Sequence, residues 1–299
     1  MRVDPHYVVN LAAAIDQSSS MESSLTTELS SGLRVTSLQV DPGAVAKSAL
    51  IASDIARNDT YVQSANGQQG LLQVTDSTLG EVVTQLTSAV TLAVQGSNGT
   101  LTSSNISVIA QQLTGIRDQV LSLANSSYLG SHLFAGSQGS SKPYSVDTAT
   151  VPATTTYSGD SVVQYTETPT GQKIQLNLPG SAIFGSGSSG LLPVLNQLIA
   201  DFSSGTASAS ATSDASALTA ALSQVSSQRS ILGSSLSRLQ QTSTYAQTEV
   251  SELTAEQGTL VSADLATVAT DLKSAETQHQ ALLSVTAALG SSNLFTYIK

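Results

Sequence analysis

Along the last third of the chain, Leu218, Leu222, Val225, Leu232, Leu236, Leu239, Ala246, Val250 and Leu253 recur at steps of three and four or their sum. The stepping resumes through Val261, Leu265, Val268, Leu272, Ala275, Leu282 and Leu289. A pattern held this long without proline predicts an extended, coiled-coil-like helix over 214–289 that partner helices must cover. The seam slips near Gln257-Gly258, which predicts a kink or a phase change there. At the other end, Leu11, Ile15, Ser18, Glu22, Leu25 and Leu29 form one helical stripe with two polar members, and Gly32 stops it. A loop through Asp41-Pro42-Gly43 follows, because proline is not tolerated mid-helix.

A second long helix is expected from about Ala44, carried by Ile51, Ile55, Val62, Ala65, Leu72, Leu79, Val82, Leu86 and Ala89, up to a turn at 95–100. Ile106, Ile109, Leu113, Ile116, Val120 and Leu123 make a third helix. From Gly136 the pattern changes to Gly, Ser, Thr and Pro with alternating apolar positions. Residues 162–167 and Ile174, Leu176 and Leu178 flank the turn Pro169-Thr170-Gly171-Gln172 and read as a hairpin. A short helix over 191–202 with Pro193 in its first turn follows, then a low-complexity stretch over 206–213. The expected fold is mainly α with a small β insert: an elongated antiparallel helical bundle or coiled coil of N- and C-terminal helices, with a small antiparallel β domain between them. Its expected parts are an N-terminal assembly helix whose order depends on partners (1–40), the N-terminal half of a helical rod (41–135), a β-rich insert (136–190), the C-terminal half of the rod (191–254) and a C-terminal assembly helix (255–299).

Composition sharpens this. Aromatics are 4% and tryptophan is absent, so the 40% apolar content sits on thin Ala, Val and Leu stripes that suit helix seams better than a thick core. The net charge of −10 and the scattered eleven Lys and Arg leave no cluster to grip phosphates, so neither nucleic acid nor an anionic membrane surface is an expected partner. Zero cysteine excludes disulfides, Cys-ligated zinc and thiol catalysis. No stretch approaches the roughly 18 apolar residues of a membrane span. The run Val8–Ile15 holds Asn10 and meets Asp16 without a small-residue cleavage site, so the chain is expected in the cytosol or exported without a cleaved signal peptide.

Chemical motifs are weak. Gly159-Asp160-Ser161 with Glu276 and His279 could be cast as an esterase triad, but Ser161 enters an expected strand while His279 rides a helix stripe. A turn plus a seam histidine is the simpler account. Gly185, Gly187 and Gly190 spell a G-x-G-x-x-G without the strand, helix and acid that a dinucleotide site needs. His6, His132 and His279 lack partners at ligand spacing, and the carboxylates stand singly. The N-x-[ST] triplets at Asn58, Asn98, Asn105 and Asn125 are expected by chance in so Ser/Thr-rich a chain. No catalytic, cofactor or metal residue is assigned.

Leu29-Ser30-Ser31-Gly32-Leu33-Arg34-Val35 followed by Asp41-Pro42-Gly43-Ala44-Val45-Ala46 resembles the N-terminal signature of the bacterial flagellin superfamily. Asn125 to Ser137 with Pro143-Tyr144, then Tyr157-Ser158-Gly159-Asp160, Leu178 to Phe184 and Ser292 to Ile298 are similar, in order, to blocks of the branch that joins hook to filament. Val40 precedes Asp41 where the family usually carries two adjacent acids, and Leu33, in place of the junction branch's usual lysine, is more filament-like. The resemblance implies a structural, non-enzymatic subunit of the bacterial flagellum, extracellular after type III export. It would be bound by an export chaperone beforehand and form a homo-oligomeric ring that touches a neighbouring hook-associated protein and flagellin. The residues expected at the subunit interface are Leu11, Ile15, Leu25, Leu29, Leu265, Val268, Leu272, Leu282 and Leu289. Filament flagellin, a secreted coiled-coil adhesin and, as an outsider, an esterase remain alternatives.

Overall fold

The computed structural model describes residues 5–35, 41–185, 190–205 and 211–291, and the side chains of these except Pro5, Leu289, Gly290 and Ser291. Val40, Gly187, most of the low-complexity stretch and the block from Ser292 to Ile298 lie outside the described residues, as does the Leu289 side chain. The chain is mainly α with small antiparallel sheets. The helices are α1 (Pro5–Ser31), α2 (Pro42–Gly96), α3 (Ser103–Ala124), α4 (Gly180–Ile183), α5 (Leu191–Ser203), α6 (Ala211–Val261) and α7 (Leu265–Ser291). Between α3 and α4 run β1 (Ser127–Tyr128), β2 (Ser131–His132), β3 (Tyr144–Asp147), β4 (Thr154–Tyr157), β5 (Tyr165–Glu167) and β6 (Lys173–Gln175). Each strand pairs antiparallel with its sequence neighbour, Thr166 opposite Ile174 in the expected hairpin. The chain forms two compact units: Met1–Arg57 with Glu249–Lys299, and Asn58–Thr248.

In the 58–248 unit the stripes read from the sequence become one core. Leu72, Leu79, Val82 and Leu86 of α2, Leu113 and Val120 of α3, Leu191, Leu195 and Leu198 of α5, and Leu218, Val225 and Leu239 of α6 are all fully enclosed. Polar ties fix the register of α2 against α6. Arg229 grips Asp76 with two parallel bonds of 2.8 and 3.0 Å, and the Tyr61 and Thr242 hydroxyls meet at 2.6 Å. Asn58, in phase with Ile51 and Ala65, is an exception: it is fully buried, and neither amide atom has a partner among the described residues. Each unpaired buried amide atom carries its desolvation cost, so Asn58→Leu should raise stability by about 1–3 kcal/mol, read as a higher urea midpoint at unchanged slope.

The β segment is tied by side chains more than by ladders. Asn125, just past α3, accepts from the Tyr144 N–H at 2.8 Å and donates to the Tyr144 carbonyl at 3.0 Å. Tyr144 is fully buried and donates to the Gly185 carbonyl at 2.8 Å. The Tyr157 hydroxyl lies within bonding distance of the Phe134 and Asp160 carbonyls, at 3.0 and 2.8 Å. The Asp160 carboxylate takes the Ser137 N–H (2.8 Å), the Ser137 hydroxyl and the Val162 N–H (3.0 Å), which hold it below the usual carboxylate range. Gly136 sits at φ +72 with the Asp160 backbone 2.5 Å from where a Cβ would be, so only glycine fits. Ser161 is exposed in the loop between β4 and β5 and not in the strand expected for it, because the Asp160 bonds turn the chain there.

Where α5 approaches α6, a cavity of about 430 Å³ is lined by Thr154, Thr155, Gln197 and Asp214 among others. Asp214 Oδ2 has no hydrogen-bond partner among the described residues, and burial, then the neighbouring Asp201 carboxyl, pushes this acid up to about 6. A raised acid stabilises the fold fully below its unfolded value near 3.8 and loses that contribution as pH rises through about 6. Stability should therefore fall between pH 4 and 7 by about 1 kcal/mol, allowing for the group's solvent contact, and Asp214→Asn should remove that fall in urea titrations.

Candidate assembly surface

The other unit is built from the two chain ends. Gly32 ends α1 in the left-handed region at φ +70, its N–H bonding the Glu28 carbonyl at 2.8 Å. The chain then crosses to the joint between α6 and α7. Arg34 N–H donates to the Val261 carbonyl at 2.8 Å, Ala263 N–H to the Gly32 carbonyl at 2.9 Å, and Leu33 bridges Ser262. The Arg34 guanidinium adds a 3.1 Å bond to the Leu260 carbonyl. Asp264 caps α7 through the Ala266 N–H at 3.0 Å and the Thr267 hydroxyl at 3.0 Å; bonds from Thr267, then Ala266, depress its carboxyl. The predicted kink near Gln257-Gly258 is thus a break at 262–264. Asp41 caps α2 through the Ala44 N–H at 2.9 Å, and Pro42 takes the first helical position. Lys47 meets Glu256 at 2.7 Å, and Gln257 donates to the Ser48 carbonyl at 3.3 Å.

From this clasp α1 and α7 run back against each other. Their seam holds Leu11, Ile15, Leu25, Leu272 and Leu282 half-buried and Val268 buried at 7% exposure. Leu29 and Leu265, beside the clasp, stay 38% and 48% exposed. Ser18, Glu22 and His279 also lie in the seam, half-buried, the Ser18 hydroxyl and His279 Nδ1 without partners among the described residues. No residue of α1 from His6 to Ser31 is fully buried, and along α7 from Leu265 to Ala288 only Val268 and Ala275 are. Tyr7, Val8, Val9, Met21, Leu283 and Val285 are all more than two-fifths exposed. Two helices alone cover one stripe each and leave their flanking apolar side chains in water.

Comparison with known proteins places these ends. The bacterial flagellin N-terminal helical region matches residues 7–139, and the bacterial flagellin C-terminal helical region matches residues 215–298. The chain belongs to the bacterial flagellin family. Flagellar hook-associated protein 3 of Salmonella typhimurium is 31% identical over 121 residues, which is 40% of this chain and 38% of that relative. The match thus spans well under two thirds of the relative's length. Among solved structures, a putative flagellar hook-associated protein from Vibrio parahaemolyticus overlays with a TM-score of 0.64 at 19% identity, over 74% of this chain and 99% of that one. The flagellar junction protein of Legionella pneumophila gives 0.58 at 13%, over 72% and 99%. At such identities these two show a shared fold.

In this flagellin-family chain the signature from Leu29 to Val35 is the clasp: its glycine stops α1, and Leu33 and Arg34 bind the backbone where α6 ends. The Asp264 cap and the Lys47–Glu256 pair were missed by sequence reasoning. Asp264-Leu265-Ala266-Thr267 does carry the pattern of a helix start, overridden by the longer hydrophobic rhythm. Among the described residues no group of three or more His, Cys, Asp or Glu could hold a metal, and no helix is long and apolar enough to cross a membrane.

Proposed function

We propose that the chain is a structural subunit that joins hook to filament in a bacterial flagellum, docking through α1 and α7 onto copies of itself and onto the neighbouring hook-associated protein and flagellin. The half-covered state of those two helices carries the proposal. Each apolar side chain moved out of water contributes about 25 cal/mol per Å² buried, so neighbouring helices along both flanks supply several kcal/mol against the ordering entropy. The names of the proteins it resembles favour a junction subunit over filament flagellin. Leu11, Ile15, Leu25, Leu29, Leu265, Val268, Leu272, Leu282 and Leu289 remain the proposed contact set. Within it, the exposed Leu29 and Leu265 contact neighbours, while the half-buried members hold α1 to α7. Export through the flagellar apparatus, a chaperone before export, a closed ring and the absence of catalysis belong to the same proposal.

Deleting the gene tests it. Cells should then carry bare hooks and shed flagellin into the medium, and the plasmid-borne chain should restore filaments. Cells that keep normal filaments, or purified chain that polymerises alone into long filaments, would reject the junction role.

A further inference from the structure

We propose that Asn98-Gly99, in the turn between α2 and α3, is a self-modification site at which the chain converts its own asparagine to aspartyl and isoaspartyl products. The Gly99 backbone nitrogen, on losing its proton to water or hydroxide, attacks Asn98 Cγ. The new N–C bond closes a five-membered imide, the Cγ–Nδ2 bond breaks, and the nitrogen departs as ammonia after taking a proton from water. A second water then opens either C–N bond of the ring, leaving one carboxylate where an amide stood. Nothing is oxidised or reduced.

Three features of the turn favour this. Asn98, Gly99 and Thr100 are exposed, and apart from its two chain neighbours nothing lies within 4 Å of where a Gly99 Cβ would be, so no other part of the chain crowds the turn. Among the described residues the Gly99 N–H has no hydrogen-bond acceptor, which leaves its proton open to water. Asn98 Oδ1, the oxygen that gains negative charge as the nitrogen adds, already accepts from the Thr100 hydroxyl at 3.0 Å and, more weakly, from the Thr100 N–H at 3.4 Å. The Thr100 hydroxyl thus stands at the distance at which a donor stabilises a developing oxyanion.

The molecule contains its own control. Asn66-Gly67 is the same dipeptide, also exposed, also with nothing within 4 Å of a Gly67 Cβ, but it lies inside α2. There the glycine N–H is held by the carbonyl four residues back, and the helical backbone keeps it from the side-chain carbon. Conversion at Asn98 adds one negative charge ahead of α3. The isoaspartyl branch also inserts a methylene into the main chain, disturbing the 3.3 Å bond from Leu101 N–H to the Asn98 carbonyl.

The test is peptide mapping by mass spectrometry of the full-length chain held folded at mildly alkaline pH, with a urea-denatured sample beside it. Asn98 should gain one mass unit while Asn66 does not, and both should convert together in urea. Thr100→Val should slow Asn98 about fivefold, less than a buried oxyanion donor because the turn is open to water. Equal conversion of the two sites in the folded chain, or an intact Asn98 when the denatured sample has reacted, overturns the site; an unchanged rate in Thr100→Val overturns the role of Thr100.

Discussion

Phe134→Ala should destabilise the 58–248 unit by about 3–5 kcal/mol, the range for removing a fully enclosed aromatic side chain. Phe134 is entirely buried, and its ring meets Phe184 edge-on with centroids 5.1 Å apart. Its carbonyl accepts the Gly180 N–H at 2.8 Å, so the cavity would open where the β segment is tied to α4. Tyr144 meets Phe184 edge-on with centroids 5.6 Å apart, and cannot close the gap without giving up its bond to Gly185. Urea unfolding followed by tyrosine fluorescence gives the number. A loss under 1 kcal/mol would mean that the aromatic group is not the keystone of this segment.

Charge placed in the terminal seam should have the largest effect on assembly. Val268→Asp puts an unpaired carboxylate at a position 7% exposed, between α1 and α7. A buried charge without a partner costs several kcal/mol, more than a pair of helices with one shared stripe can absorb. The pair should open and incorporation into flagella should cease, while the 58–248 unit keeps its unfolding transition. Leu265→Asp separates the two kinds of contact. At 48% exposure it should leave the free chain unchanged, so that any loss of incorporation is charged to a neighbour's surface. Helicity of the free chain and electron microscopy of complemented cells read the two effects independently. A Leu265→Asp chain that assembles normally removes Leu265 from the contact set.

The helices were legible because their signal is local. Leu11 to Leu25 and Ile106 to Leu123 repeat at helical spacing, and Gly32 and Pro193 mark a stop and a start. What escaped depends on partners distant in sequence. The α6–α7 break was expected five residues early, because the Leu33–Ser262 bridge and the Asp264 cap fix it and neither disturbs the hydrophobic rhythm. Strand β5 starts at Tyr165, three residues later than expected, since the Gln164 N–H goes to the Asn177 side chain at 2.7 Å instead of to a ladder. The β3–β4 hairpin went unseen because Thr154, Thr155 and Thr156 offer no apolar alternation, though Thr155 is buried and its hydroxyl accepts from Asn196 at 3.0 Å. The stripes of α1 and α7 were legible as helical spacing, and Leu11, Ile15, Leu25, Val268, Leu272 and Leu282 face the seam between the two helices. One stripe cannot tell which side chains serve the chain's own partner helix and which are left for a neighbour.

Hydrogen exchange on the full chain, free in dilute solution and again within assembled hook–filament junctions, tests the central claim most directly. In the free chain the amides of α1 and α7 should exchange orders of magnitude faster than those of α3 and α5, because a two-helix pair with almost no enclosed side chains opens readily. Within the junction they should become as slow as the 58–248 core. If α1 and α7 in the free chain were already as protected as α3 and α5, the ends would need no neighbours, and the account of assembly through them would be wrong.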